Sequence, residues 1–97
     1  MPHAVEVHPT ARIEVHAAYG WYYERNPNAA AALLSEIDKA ILAIAENPAM
    51  WAPYLEDTRR FILSRFPFSV VYRANSDGVL VVAFAHSRRR PGYWRNR

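Results

Sequence analysis

Two asparagine–proline pairs, at residues 26–27 and 47–48, enclose the most regularly patterned stretch of the chain. Asparagine is a favoured N-cap and proline suits the first helical turn, so the first pair predicts the start of a helix. The residue before a proline avoids the helical conformation, so the second pair predicts its end. Between the pairs, apolar residues recur at the spacings of a buried helix face. That face contains Ala30, Leu33, Leu34, Ile37, Ile41 and Ile44.

The residues before the first pair predict another helix. Pro9 suits a first helical position, because the backbone N–H that proline lacks would have no helical partner there. Apolar residues then follow at spacings of three and four, and the helix is expected to end near Arg25. Its predicted buried face contains Ala11, Val15, Ala18 and Tyr22. Because only a short link separates the two helices, they are expected to form an antiparallel hairpin.

The C-terminal part of the chain predicts β-strands. Residues 59–65, 68–73 and 79–85 are rich in aromatic and β-branched residues, which favour strands. Residues 75–78, Asn-Ser-Asp-Gly, predict a hairpin turn, because the Asp-Gly pair readily supplies a positive φ. The last strand is apolar on both faces and is therefore expected inside the sheet. Residues 4–8 alternate apolar and polar side chains and predict a short N-terminal strand.

Residues 48–57 link the second helix to these strands. They contain two prolines and no consistent period, which indicates an ordered loop. Its larger apolar side chains are expected to pack on the core. These are Met50, Trp51, Tyr54 and Leu55.

The order β-α-α-β-β-β indicates an α+β fold in a single domain over residues 1–97. We expect the helical hairpin to pack on one face of an antiparallel sheet, followed by a basic C-terminal tail. The N-terminal strand is expected at an edge or beside the last strand. No helix is left to cover the other sheet face, so Arg60, Arg73 and the tail are expected to meet there.

Composition excludes several classes of protein. The chain has no cysteine, so neither a disulfide framework nor a thiolate metal site is available. It has no apolar run long enough for a transmembrane helix. Its first residues lack the basic start and apolar core of a signal peptide. These features predict a cytoplasmic protein that is not associated with a membrane.

Charge is divided unevenly along the chain. Residues 1–57 hold three basic and eight acidic side chains, a balance of −5. Residues 58–97 hold nine arginines against Asp77 alone, a balance of +8. Such a field attracts nucleic acid or an acidic protein, and guanidinium groups favour bidentate contacts with phosphates and carboxylates.

The tail supplies most of the candidate site residues. His86 ends the last predicted strand, and it either hydrogen-bonds to backbone or acts as a base among the arginines that follow. Trp94 either docks on the core or stacks on a base whose phosphates the arginines bind. The predicted target-binding or anion-binding residues are Arg60, Arg73, Arg88, Arg89, Arg90, Trp94 and Arg95.

The sequence predicts neither a metal nor a cofactor. His3, His8 and His16 do not have the close spacing of metal ligands. There is no glycine-rich phosphate loop and no serine or cysteine nucleophile motif, which argues against the common hydrolase chemistries.

Four stretches of the chain together form a recognisable pattern. They are AAAALLSEIDKAILAIAENP (29–48), FPFSVVYR (66–73), VLVVAFAH (79–86) and HSRRRPGYWRNR (86–97). This pattern resembles the ParE branch of the RelE/ParE toxin superfamily over essentially the whole chain. The resemblance implies the toxin of a bacterial type II toxin–antitoxin system. ParE-like members poison DNA gyrase by binding it, whereas RelE-like members cut translated mRNA on the ribosome.

The resemblance also suggests roles for single residues. Arg88 lies where RelE-like enzymes carry a phosphate-stabilising arginine, and Trp94 lies where they carry a tyrosine. Indole cannot exchange a proton as a phenol can, which favours the gyrase-binding alternative. A ribosome-dependent mRNA endonuclease remains the alternative, with His86, Arg88 and Tyr93 as its catalytic residues. On an extended tail, Tyr93 and its neighbour Trp94 would face opposite ways.

A toxin of this kind implies a cognate antitoxin. An acidic, amphipathic antitoxin segment would complement the basic half of the chain and cover apolar surface between helices and sheet. The resemblance implies that operator DNA is bound only through this antitoxin.

Overall fold

Two helices and five strands form the computed structural model, which describes residues 2–97. In chain order they are β1 (Val5–Val7), α1 (Pro9–Arg25), α2 (Pro27–Glu46), β2 (Ala52–Pro53), β3 (Arg59–Ile62), β4 (Phe68–Asn75) and β5 (Gly78–His86). The strands form one sheet in the order β1-β5-β4-β3-β2. The predicted α+β class is confirmed. Because β1 runs parallel to β5 while all other neighbours are antiparallel, the sheet is mixed.

Asn26 separates the two helices and caps both of them. Its N–H donates to Tyr22 O at 2.7 Å and closes the last turn of α1. Its side-chain oxygen accepts from Asn28 N at 3.0 Å and opens α2. Asn47 ends α2 in the same way, donating to Ala43 O at 3.2 Å before Pro48. Both asparagine–proline pairs therefore set the helix boundaries as predicted.

The hydrophobic core lies between the helical hairpin and one face of the sheet. The predicted face of α1 is confirmed, and that of α2 is correct with one exception. Leu34 is exposed, and Ala40 is buried in its place, because the buried stripe follows positions 33, 37, 40 and 44. The core also contains Leu63, which follows β3, and five residues of the sheet, Val70, Tyr72, Val79, Val81 and Phe84.

β3 is shorter than predicted because a helix residue takes over the hydrogen bonds of its continuation. Strand pairing ends at Ile62 instead of reaching residue 65. The carboxylate of Glu36, on α2, accepts hydrogen bonds from Ser64 N at 2.8 Å and Arg65 N at 3.0 Å. It also accepts one from the Ser64 hydroxyl at 3.1 Å. The chain therefore turns under α2 instead of continuing the strand.

The link between α2 and β3 contains the short strand β2, which pairs with β3. Trp51 packs edge-on against Phe61, with ring centroids 4.5 Å apart, as expected for a side chain that closes the core. The expectation that Met50 and Leu55 also pack inward is wrong, since both are exposed.

A β-bulge in β5 shapes the second face of the sheet. Val71 pairs with Ala83 and Tyr72 pairs with Val81, so Val82 is an extra residue with no partner on β4. Val82 and Ala83 consequently both face away from the helices, where they form a second cluster with Val71 and Trp94. β5 lies between β1 and β4, which confirms its predicted interior position.

Candidate functional site

The C-terminal tail, residues 87–97, folds back over the second face of the sheet. This tail is not extended, because successive turns fold the segment. Backbone hydrogen bonds of 3.0 to 3.2 Å join Tyr93 N to Arg90 O, Arg95 N to Gly92 O and Arg97 N to Trp94 O. Gly92 has a φ of +80°, which glycine adopts more readily than other residues.

Trp94 docks on the sheet. Only 1% of it is exposed, and it packs on Val71, Val82 and Ala83. The ring of Tyr54 covers it from the side, with centroids 6.0 Å apart. Of the two predicted alternatives for Trp94, the observed arrangement is therefore docking on the core.

A carboxylate on α1 binds the tail to the sheet. Glu14 accepts hydrogen bonds from the Tyr93 hydroxyl at 2.6 Å and from the Arg97 guanidinium at 2.8 and 3.2 Å. Only 14% of the Glu14 side chain and 15% of the Arg97 side chain are exposed. We call these three residues the Glu14 clasp.

The Glu14 clasp also completes an edge of the sheet. β1 ends at Val7, so β5 has no neighbouring strand on that side beyond Val81. There, Phe84 N donates to Glu14 at 3.1 Å and Val82 O accepts from Arg97 at 3.1 Å. Left unpaired, such backbone groups would cost stability. The clasp therefore fixes the tail where strand pairing stops.

The sequence analysis did not identify Glu14 or Arg97. The one available signal is that Glu14 lies three residues after Ala11 and four before Ala18, inside the predicted buried face of α1. A lone carboxylate in an apolar stripe requires a buried partner. That partner, Arg97, is 83 positions away, and no local pattern identifies it.

Tyr93 is held in its protonated form. Burial is the main cause that raises the pKa of its phenol far above the ordinary value of 10.0, and the hydrogen bond to Glu14 and its charge raise it further. Its hydroxyl already donates to Glu14. In this arrangement the phenol is poorly suited to accept or transfer a proton at neutral pH.

His86 lies half-buried at the end of β5, edge-on to Phe68 with ring centroids 5.0 Å apart. Its Nδ1 accepts a hydrogen bond from Arg88 N at 3.0 Å, so the proton of the neutral ring is on Nε2. The predicted backbone contact is thus present. The Arg88 side chain is exposed.

The predicted anion-binding arginines fall into two groups. Arg73 and Arg95 contact oxygen atoms of the protein itself, whereas the other four form no ion pair among residues 2–97. Arg73 donates to the backbone oxygens of Arg97 and Glu56 at 3.4 and 3.5 Å, and Arg95 lies 3.7 Å from the Glu56 carboxylate. The guanidinium of Arg60 lies 4.1 Å from the ring centroid of Tyr54. That of Arg89 lies 3.8 Å from the ring centroid of Tyr93. Within residues 2–97, Arg60, Arg88, Arg89 and Arg90 form no ion pair.

Two depressions adjoin the tail. A small pocket of about 120 Å³, which we call the tail pocket, opens on the second sheet face and is lined by Arg60, Arg89, Arg90 and His86 among others. An apolar groove of about 500 Å³, which we call the α1 groove, runs between α1 and the end of β5. It is lined mainly by Ala17, Ala18, Trp21, Tyr22, Phe68 and Phe84, with Glu14, His86, Arg89 and Tyr93 at its polar side.

Over the same described residues, no group of three histidine, aspartate or glutamate side chains is placed to hold a metal ion. Neither helix of the described residues is both long and apolar enough to cross a membrane.

The chain is similar to known proteins in sequence and in fold. The family described as “ParE toxin of type II toxin-antitoxin system, parDE” matches residues 5–91. The chain belongs to the ParE toxin family. The protein named “Putative toxin Y4kP” of Sinorhizobium fredii is 36% identical over 72 residues, which cover 71% of this chain and 75% of that protein.

The fold of this ParE-family toxin also occurs in a solved structure. A chain from “Chromosomal ParDE TA system from P. aeruginosa” superposes with a TM-score of 0.75, covering 87% of this chain and 95% of that one. The two are 17% identical, so the likeness concerns the fold. The resemblance predicted from the C-terminal motifs is thereby confirmed, and the chain is the toxin component of a type II system.

Proposed function

We propose that this toxin acts in the cytoplasm by binding DNA gyrase and that an acidic antitoxin neutralises it. One observation chiefly supports binding over catalysis. Tyr93, the only phenol in the tail, donates a hydrogen bond to Glu14, and its neighbour Trp94 is buried as an anchor. A nuclease of the RelE kind would need a phenol free to exchange a proton.

The proposed target-binding surface is the tail and the sheet face beneath it. Arg60, Arg88, Arg89 and Arg90 present positive charge that no carboxylate of the described chain neutralises. Such a surface accelerates encounter with an acidic partner and orients it. Arg73, Trp94 and Arg95 are proposed to hold the tail in place, since their contacts are made within the protein.

The experiment is a supercoiling assay with purified gyrase and purified toxin. The expected result is loss of supercoiling or accumulation of cleaved DNA, and a triple Arg88→Ala, Arg89→Ala, Arg90→Ala variant should lose most of the effect. Arg12→Ala, a change of an exposed arginine on α1, is the control and should inhibit like the wild type. A toxin that arrests growth but leaves gyrase unaffected at micromolar excess would refute the proposal.

The proposed binding site of the antitoxin is the α1 groove. Besides its buried stripe, α1 carries a second apolar face that includes Ile13 and Trp21, which are 66% and 51% exposed. A helix that is apolar on both sides usually has a partner on both. The volume of the groove is within the usual range for binding sites, about 300 to 1,000 Å³.

The edge of β5 in this groove is not free to pair with another strand. The Glu14 clasp already bonds Phe84 N and Val82 O. A partner segment that satisfies its own backbone hydrogen bonds, a helix, therefore fits better than an added strand.

Charge at the two ends of the groove favours an acidic helix. Arg25 stacks 3.7 Å from the ring centroid of Trp21 at one end, and Arg89 stacks on Tyr93 at the other. The charge of Glu14 between them is matched by Arg97. In this proposal, operator DNA is recognised only through the antitoxin.

The second candidate function is a ribosome-dependent mRNA endonuclease. It is favoured by one observation, that His86, Arg89 and Tyr93 line the same small tail pocket. It predicts cleavage of message within translated regions in a translating extract. Arg88→Ala and His86→Ala would then abolish cleavage. Intact message in that extract would rule the nuclease out.

A further inference from the structure

The tail pocket collects positive charge that no carboxylate among residues 2–97 pairs with. Arg60 comes from β3, whereas Arg89 and Arg90 come from the tail, so separate parts of the chain bring three charged side groups to the lining of one pocket. Tyr54 and Tyr93 hold two of these groups by cation–π contacts at 4.1 and 3.8 Å. The cations are therefore positioned before any ligand arrives.

The remaining polar groups of the pocket can all donate hydrogen bonds. Ser69 and Ser87 place hydroxyls in its lining, and His86 contributes the ring whose Nδ1 is already occupied by Arg88 N. The other ring nitrogen, Nε2, carries the proton in the neutral form. No aspartate or glutamate lines the pocket. Its chemistry thus suits an anion that accepts hydrogen bonds from several directions, as a tetrahedral phosphate does.

The size of the pocket indicates a single group of a larger ligand. Its volume of about 120 Å³ is well below the roughly 300 Å³ at which small-molecule sites begin. Exposed Arg88 lies beside it and can meet a neighbouring phosphate of a polymer. A nucleic acid backbone offers such a series of phosphates.

The aromatic side chains around the pocket favour a duplex over a single strand as the ligand. Recognition of unpaired bases uses open aromatic faces as stacking platforms. Here arginines lie over Tyr54 and Tyr93, and Trp94 is buried. These rings are not available to unpaired bases, which leaves backbone contact as the means of binding.

We infer that the tail pocket is a binding site for a backbone phosphate of duplex nucleic acid, contacted independently of sequence. Arg60, Arg89 and Arg90 bind the phosphate, and the pocket hydroxyls and His86 complete its hydrogen bonds. Such a contact carries no sequence information and does not read an operator. Gyrase is not required for it, so the inference can be tested on DNA alone.

The test measures binding of the purified toxin to a fluorescein-labelled DNA duplex of arbitrary sequence over a series of salt concentrations. Wild-type affinity is expected to fall as salt rises, with a slope of about −0.9 in log K against log salt for each phosphate neutralised. Arg90→Ala should weaken binding by about tenfold and reduce the magnitude of the slope by about 0.9. Arg90 forms no ion pair in the described chain, so its replacement is not expected to disturb the fold.

Arg12→Ala is the matched control, because it removes the same charge from an exposed site on α1, on the other side of the sheet. It should bind within about twofold of the wild type. Equal binding by Arg90→Ala and Arg12→Ala, or tighter binding to the single strand than to the duplex, would overturn the inference. Neither result depends on whether gyrase is the target, so failure here and failure of the proposed function are distinguishable.

Discussion

Glu14 and Arg97 are separated by 83 positions in the chain and form a two-pronged ion pair, with contacts of 2.8 and 3.2 Å, that is largely shielded from water. The pair connects the first helix to the end of the tail. It also caps two backbone groups on the open edge of β5. The position of the basic surface therefore depends on a residue of opposite charge in the acidic half of the chain.

Replacing Glu14 by glutamine should destabilise the domain by about 2 kcal/mol, because it leaves a partly buried guanidinium without a counterion and weakens several charged hydrogen bonds. Chemical denaturation followed by circular dichroism measures the change. Glu56→Gln is the control, since its ion pair with Arg95 is largely exposed and should contribute less than about 1 kcal/mol. Equal effects of the two substitutions would contradict the buried role of Glu14.

Glu36 should make stability depend on pH in the acidic range. Burial raises the pKa of its carboxyl, but the hydrogen bonds from Arg65 N, the Ser64 side chain and Ser64 N outweigh it, so the net pKa lies below 4.5. A carboxyl whose pKa is lowered by folding stabilises the protein fully when the pH is above the pKa of the unfolded state. That contribution is lost as the pH falls through the pKa of the folded state. Glu36→Gln should therefore be less stable than wild type at neutral pH, and the difference should vanish in strong acid. Glu46→Gln, an exposed change on the same helix, serves as the control.

Tyr93→Phe separates the two candidate functions. If the toxin acts by binding, removal of the hydroxyl costs one hydrogen bond to Glu14 and growth arrest persists. If the toxin is a nuclease in which this phenol takes part, cleavage should fall by about two orders of magnitude or more. Growth after induction, together with the folded fraction of the purified variant, provides the measurement.

Ala17→Arg should block neutralisation by the antitoxin without impairing toxicity. Ala17 is exposed and lines the α1 groove, so a long charged side chain would occupy the space proposed for the partner helix. Ala31→Arg places the same side chain on an exposed position of α2 and serves as the control. Cells that co-express toxin and antitoxin should grow with the control variant and arrest with Ala17→Arg. Growth with both variants would disprove the groove as the docking site.

Local signals in the sequence predicted the helices and the order of elements well. Asn26 and Asn47 act on residues within one turn, and the turn at residues 75–78 is stabilised within itself, since Asp77 N donates to the Asn75 side-chain oxygen at 2.8 Å. The apolar stripes were sufficient to place the hairpin on one face of the sheet. These features are encoded by neighbours in the chain, which is why pattern alone identifies them.

The errors arose where distant residues determine the local structure. β3 stops early because Glu36, 28 positions before Ser64, takes its backbone N–H groups. The tail folds back because Trp94 packs on the bulged face of the sheet and Arg97 forms an ion pair with Glu14. The individual functions of the predicted site residues remain predictions, although the structure separates arginines held by the protein from arginines presented to solvent.

The interior position of β5 has a consequence for synthesis of the toxin. β5 joins β1 to the rest of the sheet and supports the tail, so the sheet cannot be completed before residues 78–86 have left the ribosome. At about 5 to 20 residues per second, the helical hairpin emerges seconds before the strand that completes the sheet. The contacts within the hairpin are local, whereas those that position the arginines bridge distant parts of the chain. We therefore expect the growing chain to remain harmless to its own cell until β5 and the tail have joined the sheet.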